Sequence, residues 1–295
     1  MQKYLLVNIL FLFLPFGPHL EASGCTLWAA AGTRVEGDGI LVAKNRDMPP
    51  DHRQELRLVR PLRGFRYLGL FAVNSEEPGV KAGVNEKGLV IVDAAASCIP
   101  QGERERFPEV TQLNEKLLAA CADVDAVLRR RLMFCAPAYY LLADRSKAVI
   151  LEVSLEGKLS LKSIAQGILT HTNHFLDANF QDSNKRISWG SVVRLERIQH
   201  LLALRPQPLT LADFIDFSGD RHDGPDRSIW RTGSSPKKIR TLASWIMLLP
   251  PTGVPTLYVK VANPGEPPIT YRLQLDDAFW KKGYVRPETS SRFEG

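Results

Sequence analysis

Groups of short strands alternate with pairs of helices along this chain, and this order restricts the possible folds more than any other feature. Strand-like runs are followed by two helical segments, and the same succession occurs again before a last group of strands. Turn sequences such as 36–39, Glu-Gly-Asp-Gly, join neighbouring strands as hairpins, so the sheets should be mainly antiparallel. Helices beside such sheets cover their outer faces. The order therefore predicts an α+β fold, a four-layer α/β/β/α sandwich in one domain.

The individual elements follow from local patterns of apolar and turn residues. Strands are predicted over 26–31, 40–44, 65–73, 81–85, 88–95, 138–144, 148–154, 158–163, 167–171, 242–249, 256–261 and 269–275. Helices are predicted from a Thr111 cap to Cys121 and over 123–133, 192–204 and 209–217. Gly88 closes the turn after Asn85, since glycine accepts the positive φ that such a turn needs. Residues 286–295 are expected to fray.

A secretory signal peptide is predicted at residues 1–24. Lys3 precedes an apolar run over 4–16, which is shorter than the roughly 20 apolar residues that a membrane-spanning helix needs. The small residues Ala22 and Gly24 stand where signal peptidase cleaves. Cleavage after Gly24 would leave one domain, residues 25–295, in the periplasm or outside the cell.

Cleavage at that point would make Cys25 the first residue, and an N-terminal cysteine carries its own base. A free α-amine has a pKa of about 8, so near neutral pH part of it can accept the thiol proton. The alternative is a lipid-anchored, non-catalytic binding protein in which Cys25 is acylated. Lipoprotein sites usually have leucine three residues before the cysteine, where this chain has Ala22, and a flexible tether after it. No stable membrane anchor is therefore expected.

Composition and spacing exclude several classes of function. The net charge of +6 is scattered along the chain, so nucleic acid is not the expected partner. The sequence contains no Cys/His spacing typical of a metal site and no glycine-rich phosphate loop, so neither a metal nor an organic cofactor is predicted. If Cys25 stays free, Cys98, Cys121 and Cys135 form at most one disulfide, and buried thiols are favoured for the last two.

Two stretches of polar residues can approach Cys25. The hairpin brings Lys44-Asn45-Arg46-Asp47 beside it, where a carboxylate and a cation on the adjacent strand can orient a thiolate or its amine. Asn173 follows a strand end and could donate to an oxyanion, an interaction of roughly 3 kcal/mol. The neighbouring His171 and His174 could be acid/base groups or ligands, but a buried structural role is favoured for both.

A further loop, residues 220–231, is charged and ends in Ser-Ile-Trp-Arg. It is suited to placing an arginine at a defined position. Arg227 and Arg231 are both candidates, and either could instead form an ordinary surface ion pair, which contributes little stability.

Five short motifs appear in order along the chain: Cys25-Thr26, Lys44 to Asp47, Gly83-Val84-Asn85-Glu86-Lys87-Gly88-Leu89, Thr172-Asn173-His174-Phe175, and Ser228-Ile229-Trp230-Arg231. Together they resemble the N-terminal nucleophile (Ntn) hydrolases. Within that class they resemble the choloylglycine hydrolase and penicillin V acylase group, together with the isopenicillin N acyltransferase relatives.

The resemblance implies a role for each residue. Catalytic roles fall on Cys25 as nucleophile, Asp47 as its orienting carboxylate, Asn173 in the oxyanion site and Arg231 in the polar network. Supporting roles fall on Lys44 or Arg46 as a charge partner of Asp47, the backbone N–H of Ala95 at the oxyanion, and His174. The chain departs from bile-salt hydrolases at Lys44, where they have arginine, and at Ala95, where they often have asparagine.

The resemblance also implies an activity. An exported amidohydrolase would cleave a linear amide of a small molecule through an acyl-enzyme on Cys25, with no metal or organic cofactor. The alternative within the same chemistry is transfer of the acyl group to an amine. A homo-oligomer, dimer or tetramer, is expected by analogy only, and the acyl and amine groups are left open.

Overall fold

Two antiparallel β-sheets pack face to face, and helices cover the outer face of each. The computed structural model describes residues 24–74, 78–107, 110–283, 285 and 287. The four-layer α/β/β/α sandwich predicted from the order of elements is confirmed. Most of the predicted signal peptide, residues 1–23, lies outside the described residues, as does the segment expected to fray, apart from Pro287.

The first sheet has six strands, and its middle is built from strands that are distant in sequence. In spatial order they are β10 (Gly167–His171), β1 (Gly24–Ala31), β2 (Ile40–Met48), β11 (Arg240–Leu249), β12 (Thr256–Val261) and β13 (Ile269–Gln274). The second sheet is a seven-stranded meander in chain order: β3 (Gln54–Val59), β4 (Tyr67–Ala72), β5 (Gly79–Asn85), β6 (Val90–Ala95), β7 (Ala138–Ala143), β8 (Ala148–Val153) and β9 (Leu159–Ile164).

The described helices are α1 (Gln101–Arg104), α2 (Leu113–Ala120), α3 (Val124–Leu128), α4 (Trp189–Leu204), α5 (Leu211–Ser218) and α6 (Asp277–Lys282). Helices α2 and α3 pack on the outer face of the seven-stranded sheet, and α4 and α5 pack on the six-stranded sheet. None of the helices in the described part of the chain is both long enough and apolar enough to cross a bilayer.

Strand β1 is buried along its whole length because both of its faces are covered. Leu27 and Ala29 face the core between the sheets, whereas Trp28 packs on the other side against Phe214 of α5, with ring centroids 6.0 Å apart. Since successive strand residues point to opposite faces, a strand covered on both sides is apolar throughout. This burial explains the uninterrupted apolar run that predicted the strand.

Several predicted boundaries differ from the structure. The β1–β2 connection is two short 3₁₀ turns, 32–34 and 36–38, rather than one tight turn. Strand β2 continues through Asp47, so the polar run 44–47 lies within a strand and not at its end. Strand β3 was not predicted, because Glu55 and Arg57 alternate with its partly buried residues at the edge of the sheet.

The helix boundaries differ as well. Helix α2 begins after Gln112, which is in the left-handed region at φ 56°, and the predicted cap Thr111 is not its N-cap. The segment 123–133 is not one helix: α3 ends at Leu128 and a 3₁₀ turn follows at 131–133. Helix α6 was not predicted.

The turn between β5 and β6 is held by one buried side chain, Asn85. Its Oδ1 accepts from the backbone N–H groups of Lys87 and Leu89, at 3.0 and 3.1 Å. Its Nδ2 donates to the carbonyls of Leu118 and Cys121, at 2.8 and 2.7 Å. Gly88 has φ 88°, as the turn requires. Asn85 therefore fastens the turn to the end of α2.

Lys44 links the two sheets. Its Nζ donates to the carbonyl of Lys81 at 2.6 Å and to Oδ1 of Asp93 at 2.7 Å, and Asn114 of α2 donates to the other oxygen of Asp93 at 2.9 Å. The β5–β6 ladder extends only from Val84 to Ala82, so the ammonium lies beyond its last pair. Burial acts to raise the pKa of Asp93, but Lys44 and Lys81 outweigh it and hold that pKa below its ordinary value.

We expect Lys44→Met to lower the free energy of unfolding by about 3–5 kcal/mol, because Asp93 would lose its buried counterion. Urea denaturation at pH 7 measures the change. The control is Lys158→Met, since Lys158 pairs with Glu156 at 2.9 Å but both side chains are exposed, and such pairs contribute about 1 kcal/mol at most. Equal losses in the two variants would contradict a stabilising role for the Lys44–Asp93 pair.

Candidate active site

Cys25 and Asn173 face each other through the register of the six-stranded sheet. Strands β1 and β10 are antiparallel with Leu27 opposite His171, so continuing the register two residues past the end of β10 brings Asn173 opposite Cys25. On the other side of β1, Cys25 pairs with Arg46 and Gly24 pairs with Asp47. Residues from three neighbouring chain segments therefore meet at the start of β1.

The side-chain amide of Asn173 joins Cys25 to the second sheet. Its Oδ1 accepts from the backbone nitrogen of Cys25 at 2.9 Å, and its Nδ2 donates to the carbonyl of Ala95 at 3.0 Å. The structure thus places Asn173 and Ala95 beside the cysteine, with the Ala95 carbonyl turned toward the amide. The predicted use of the Ala95 N–H at an oxyanion stays a prediction. Cys25 itself is 5% exposed.

Asp47 is completely buried and is surrounded by donors. Thr241 of β11 donates to its Oδ1 at 2.7 Å, and Arg194 of α4 donates to its Oδ2 at 3.3 Å. Arg231 is 3.8 Å from the same oxygen. Burial raises the pKa of Asp47, while Arg194, Arg231 and the Thr241 hydroxyl act in the opposite direction. Two arginines and a hydroxyl therefore favour the charged form of a carboxylate that has no access to water.

Of the two predicted charge partners of Asp47, Lys44 pairs elsewhere, whereas the charge of Arg46 acts to lower the pKa of Asp47. Lys44 forms its ion pair with Asp93, and Arg46 donates from Nε to Oε1 of Gln54 at 2.8 Å. Adjacent strand residues point to opposite faces, so neither side chain shares the face that Asp47 occupies. Arg231, in contrast, lies beside Asp47. Its backbone N–H donates to Thr241 Oγ1 at 2.8 Å, next to Asp47.

Arg194 is the site residue that sequence reasoning missed. It is 2% exposed, and its Nη1 donates to the carbonyl of Cys25 at 3.2 Å, to Oγ1 of Thr26 at 3.3 Å and to Asp47. Its Nη2 donates to Asn173 Oδ1 at 3.1 Å. The sequence does contain an indication of this role. Arg194 precedes the buried Ile198 by one helical turn, and a charged residue on the buried face of a helix is rare unless it is paired.

The two histidines hold the loop that carries Asn173. Nε2 of His171 is 2.7 Å from Oε1 of Glu152, which also accepts from the N–H of Leu176 at 2.8 Å. Nδ1 of His174 is 2.8 Å from Oγ of Ser191, and the same hydroxyl accepts from the N–H of Asn173 at 3.0 Å. Both histidines are buried, and both serve structural contacts in the described residues.

Gly24 also contacts this cluster. A Cβ built on Gly24 would lie 2.7 Å from Nη2 and 3.2 Å from Cζ of Arg194. Contacts that short force one of the groups to move. In the folded uncleaved chain, the position before Cys25 therefore accommodates glycine better than any larger residue.

The four cysteines form no disulfide with one another. Cys25, Cys98, Cys121 and Cys135 are all free, the first three are buried and Cys135 is half-buried. Cys98 Sγ lies 3.3 Å from the hydroxyl of Tyr139. Within the described ranges, no three His, Cys, Asp or Glu side chains form a group that could hold a metal ion.

The packing of two antiparallel sheets between helix layers is the fold of the Ntn hydrolases. A mutant of conjugated bile acid hydrolase from Clostridium perfringens has a TM-score of 0.57 at 12% identity, covering 89% of this chain and 96% of that one. The Caenorhabditis elegans ortholog of N-acylethanolamine-hydrolyzing acid amidase has a TM-score of 0.52 at 13% identity, covering 77% and 94%. At these identities the likeness shows the fold.

Residues 34–266 match the family described as acyl-coenzyme A:6-aminopenicillanic acid acyl-transferase, and the chain belongs to that family. The matched range includes Asp47, Asn173, Arg194 and Arg231, whereas Cys25 lies before it. None of the curated proteins matches the sequence significantly.

Burial lowers the pKa of His174 to about 4, with His171 and Arg194 acting in the same direction, and this makes stability depend on pH. In the unfolded chain the ring is protonated near pH 6.5, but in the folded protein only near pH 4, so acid favours the unfolded state. The free energy of unfolding should therefore fall by up to about 3 kcal/mol between pH 7 and pH 4. Denaturation series at pH 7, 5.5 and 4 measure this loss.

His174→Gln should remove most of that share of the pH dependence, because glutamine does not titrate. The matched control is His200→Gln, since His200 is exposed on the same helix that anchors His174. If His174→Gln kept the full acid sensitivity of the unchanged protein, the stated cause would be wrong.

Proposed function

We propose that this protein is an exported Ntn amidohydrolase that cleaves a linear amide with Cys25 as nucleophile and the α-amine of Cys25 as base. One observation carries the proposal: the backbone nitrogen of Cys25 is 2.9 Å from Asn173 Oδ1 in a buried cluster. A cut between Gly24 and Cys25 would turn that nitrogen into an amine already held in place. The predicted signal peptide would supply the cut.

The reaction then proceeds in two halves. The thiol gives its proton to the α-amine, Sγ bonds to the substrate carbonyl carbon, and the carbonyl oxygen becomes an oxyanion. The C–N bond breaks as the α-ammonium returns the proton to the leaving amine, which leaves a thioester on Cys25. Water attacks the thioester and gives a proton to the amine. The C–S bond then breaks to release the acid, and the α-ammonium returns its proton to the thiolate.

The other residues act on charge and position. Nδ2 of Asn173 has two hydrogens, of which one points to Ala95, so the second is available to the oxyanion. Asp47 balances the positive charge that forms on the amine. Arg231, near the same carboxylate, completes the polar network.

Acyl transfer to an amine is the second candidate, and the family description favours it, since that family is described by an acyl-transferase activity. The names of the two structural neighbours describe hydrolases, which favours water as acceptor. Hydrolysis and acyl transfer both pass through the same thioester on Cys25. The decisive experiment offers the purified protein penicillin V, a conjugated bile salt or an N-acylethanolamine, and repeats the last two with 6-aminopenicillanic acid, since transfer from penicillin V to that amine would only regenerate the substrate. An amide product in place of the free acid would identify transfer.

The mechanism predicts that one extra residue before Cys25 abolishes turnover. The extension keeps the thiol but converts the α-amine to an amide, which cannot accept a proton. We expect kcat to fall by about 10²-fold or more, since general bases contribute that much. Circular dichroism and mass spectrometry verify that the protein is folded and has kept the residue. Normal turnover by the extended protein would refute the α-amine as base.

The maturation route predicts that Gly24→Ala yields the same mature protein. Alanine is also small, so signal peptidase should accept it, and removal before folding avoids the clash with Arg194. Intact mass, yield and activity should equal those of the unchanged chain, whereas the control Gly24→Leu should block cleavage. If the Gly24→Ala variant accumulated as a folded precursor, the cut would occur after folding, against the proposed route.

A further inference from the structure

We propose that Arg194 is a positioning residue for the reaction, which sets the relative places of Cys25, Asp47 and Asn173. This inference rests on the proposed function. None of the five motifs contains Arg194, and it lies on a helix, whereas the other residues lie on strands and loops of the six-stranded sheet.

The guanidinium contacts Cys25, Asp47 and Asn173 at the same time. Nε donates to the carbonyl of Gly190 at 3.1 Å, which fixes the side chain on its own helix. Nη1 reaches the carbonyl of Cys25 and Oδ2 of Asp47, and Nη2 reaches Oδ1 of Asn173. Arginine presents these donors in a rigid planar fork, which the single ammonium of lysine cannot reproduce.

The contact with Asn173 determines which way its amide points. Oδ1 accepts from both Cys25 N and Arg194 Nη2, at 2.9 and 3.1 Å, so this end of the amide must be the oxygen. The nitrogen is thereby turned toward Ala95 and the expected oxyanion position. Without Arg194 the oxygen would have one donor fewer, and the amide would be freer to rotate away.

Helix α4 holds the same loop at a second point. Ser191, one turn before Arg194, bonds to the backbone of Asn173 and to His174. Position and orientation of the Asn173 amide thus both come from one helix. The clash between Arg194 and a Cβ at position 24 shows how closely the guanidinium approaches the start of β1.

The charge of Arg194 has a separate effect on proton transfer. Among the described residues, charged and titratable groups on the elements that pack against Cys25 include Asp47 and Arg46 of β2, Arg231 before β11, His174 after β10, and Arg194 of α4. Loss of a nearby cation raises the pKa of both an amine and a thiol. Removal of Arg194 should therefore lower the reactivity of Cys25 near neutral pH.

The test compares Arg194→Met, Arg194→Lys and the control Arg205→Met in mature protein with Cys25 verified by mass as first residue. Arg205 follows directly after the same helix and pairs with Asp213 and Asp216 of α5. Thermal unfolding verifies that each variant is folded. The rate of Cys25 alkylation by iodoacetamide is followed against pH by peptide mass, with Cys135 as internal reference, and needs no turnover. Steady-state kinetics use the amide from the panel that the unchanged protein cleaves best.

We expect Arg194→Met to lower kcat by about 10²-fold with a smaller change in KM, and to move the alkylation midpoint and the acid limb of kcat/KM to higher pH. Arg194→Lys should keep the midpoint, because it keeps the charge, but should still lose about tenfold or more in kcat, because it lacks the fork. Arg205→Met should match the unchanged protein.

Three results would overturn the inference. In the first, Arg194→Met has the same kcat and pH profile as Arg205→Met. In the second, Arg194→Lys has the full kcat of the unchanged protein. In the third, the loss of kcat in each variant is accounted for by its unfolded fraction alone. These outcomes differ from failure of the proposed function, which appears as normal turnover by the protein extended before Cys25. If no amide in the panel is cleaved, the alkylation midpoint alone decides: an unmoved midpoint in Arg194→Met counts against the inference.

Discussion

The burial of one carboxylate, Asp47, is the constraint on which the site depends. A charge without water is costly by several kcal/mol unless cations and hydrogen-bond donors surround it. Three separate segments deliver those donors: Arg194 from α4, Arg231 from the loop before β11 and Thr241 from β11 itself. Each segment must therefore pack on β2 in one arrangement, and Cys25 on the neighbouring strand gains a defined environment as a result.

The run 44–47 shows how a single stretch of β2 organises several layers. Lys44 reaches Asp93 in the other sheet, and Arg46 bonds to Gln54 at the start of β3. Asn45 donates to the carbonyls of Ser218 and Ile229, both at 2.8 Å, which holds the end of α5 and the loop leading to Arg231. The alternation of faces along a strand separates these roles. The motif 44–47, which in the sequence looks like a single catalytic motif, thus connects the two sheets and one helix layer.

The sequence predicted the parts of this architecture that depend on local pattern. Hairpin turns and helical spacing predicted the four-layer sandwich, and most predicted strand ends lie within a few residues of those in the structure. Cys25 lies beside Asn173 because of the register between β1 and β10. The motifs implied that these two residues belong to one site, but the register itself cannot be derived from the sequence. The sequence did not predict a site role for Arg194 because Cys25 and Asp47, two of its partners, are more than a hundred residues away, and helical periodicity indicates only which face of the helix is buried. Lys44, one of the two candidate charge partners of Asp47, pairs with Asp93 instead, because closeness in the chain does not reveal which face of a strand a side chain occupies.

The same contacts explain why the histidines beside Asn173 suit a structural role better than a catalytic one. A general base near neutral pH needs a pKa close to the working pH, but the pKa of His174 is lowered to about 4 by burial. His171 is engaged by Glu152, which also holds the backbone of the following loop. The nitrogen of Cys25, in contrast, is already bonded to Asn173 next to a carboxylate whose charge two arginines support. In the proposed mechanism, a base formed there by cleavage would need no further side chain, and the contacts of Arg194 with Cys25 and Asn173 would hold it in position.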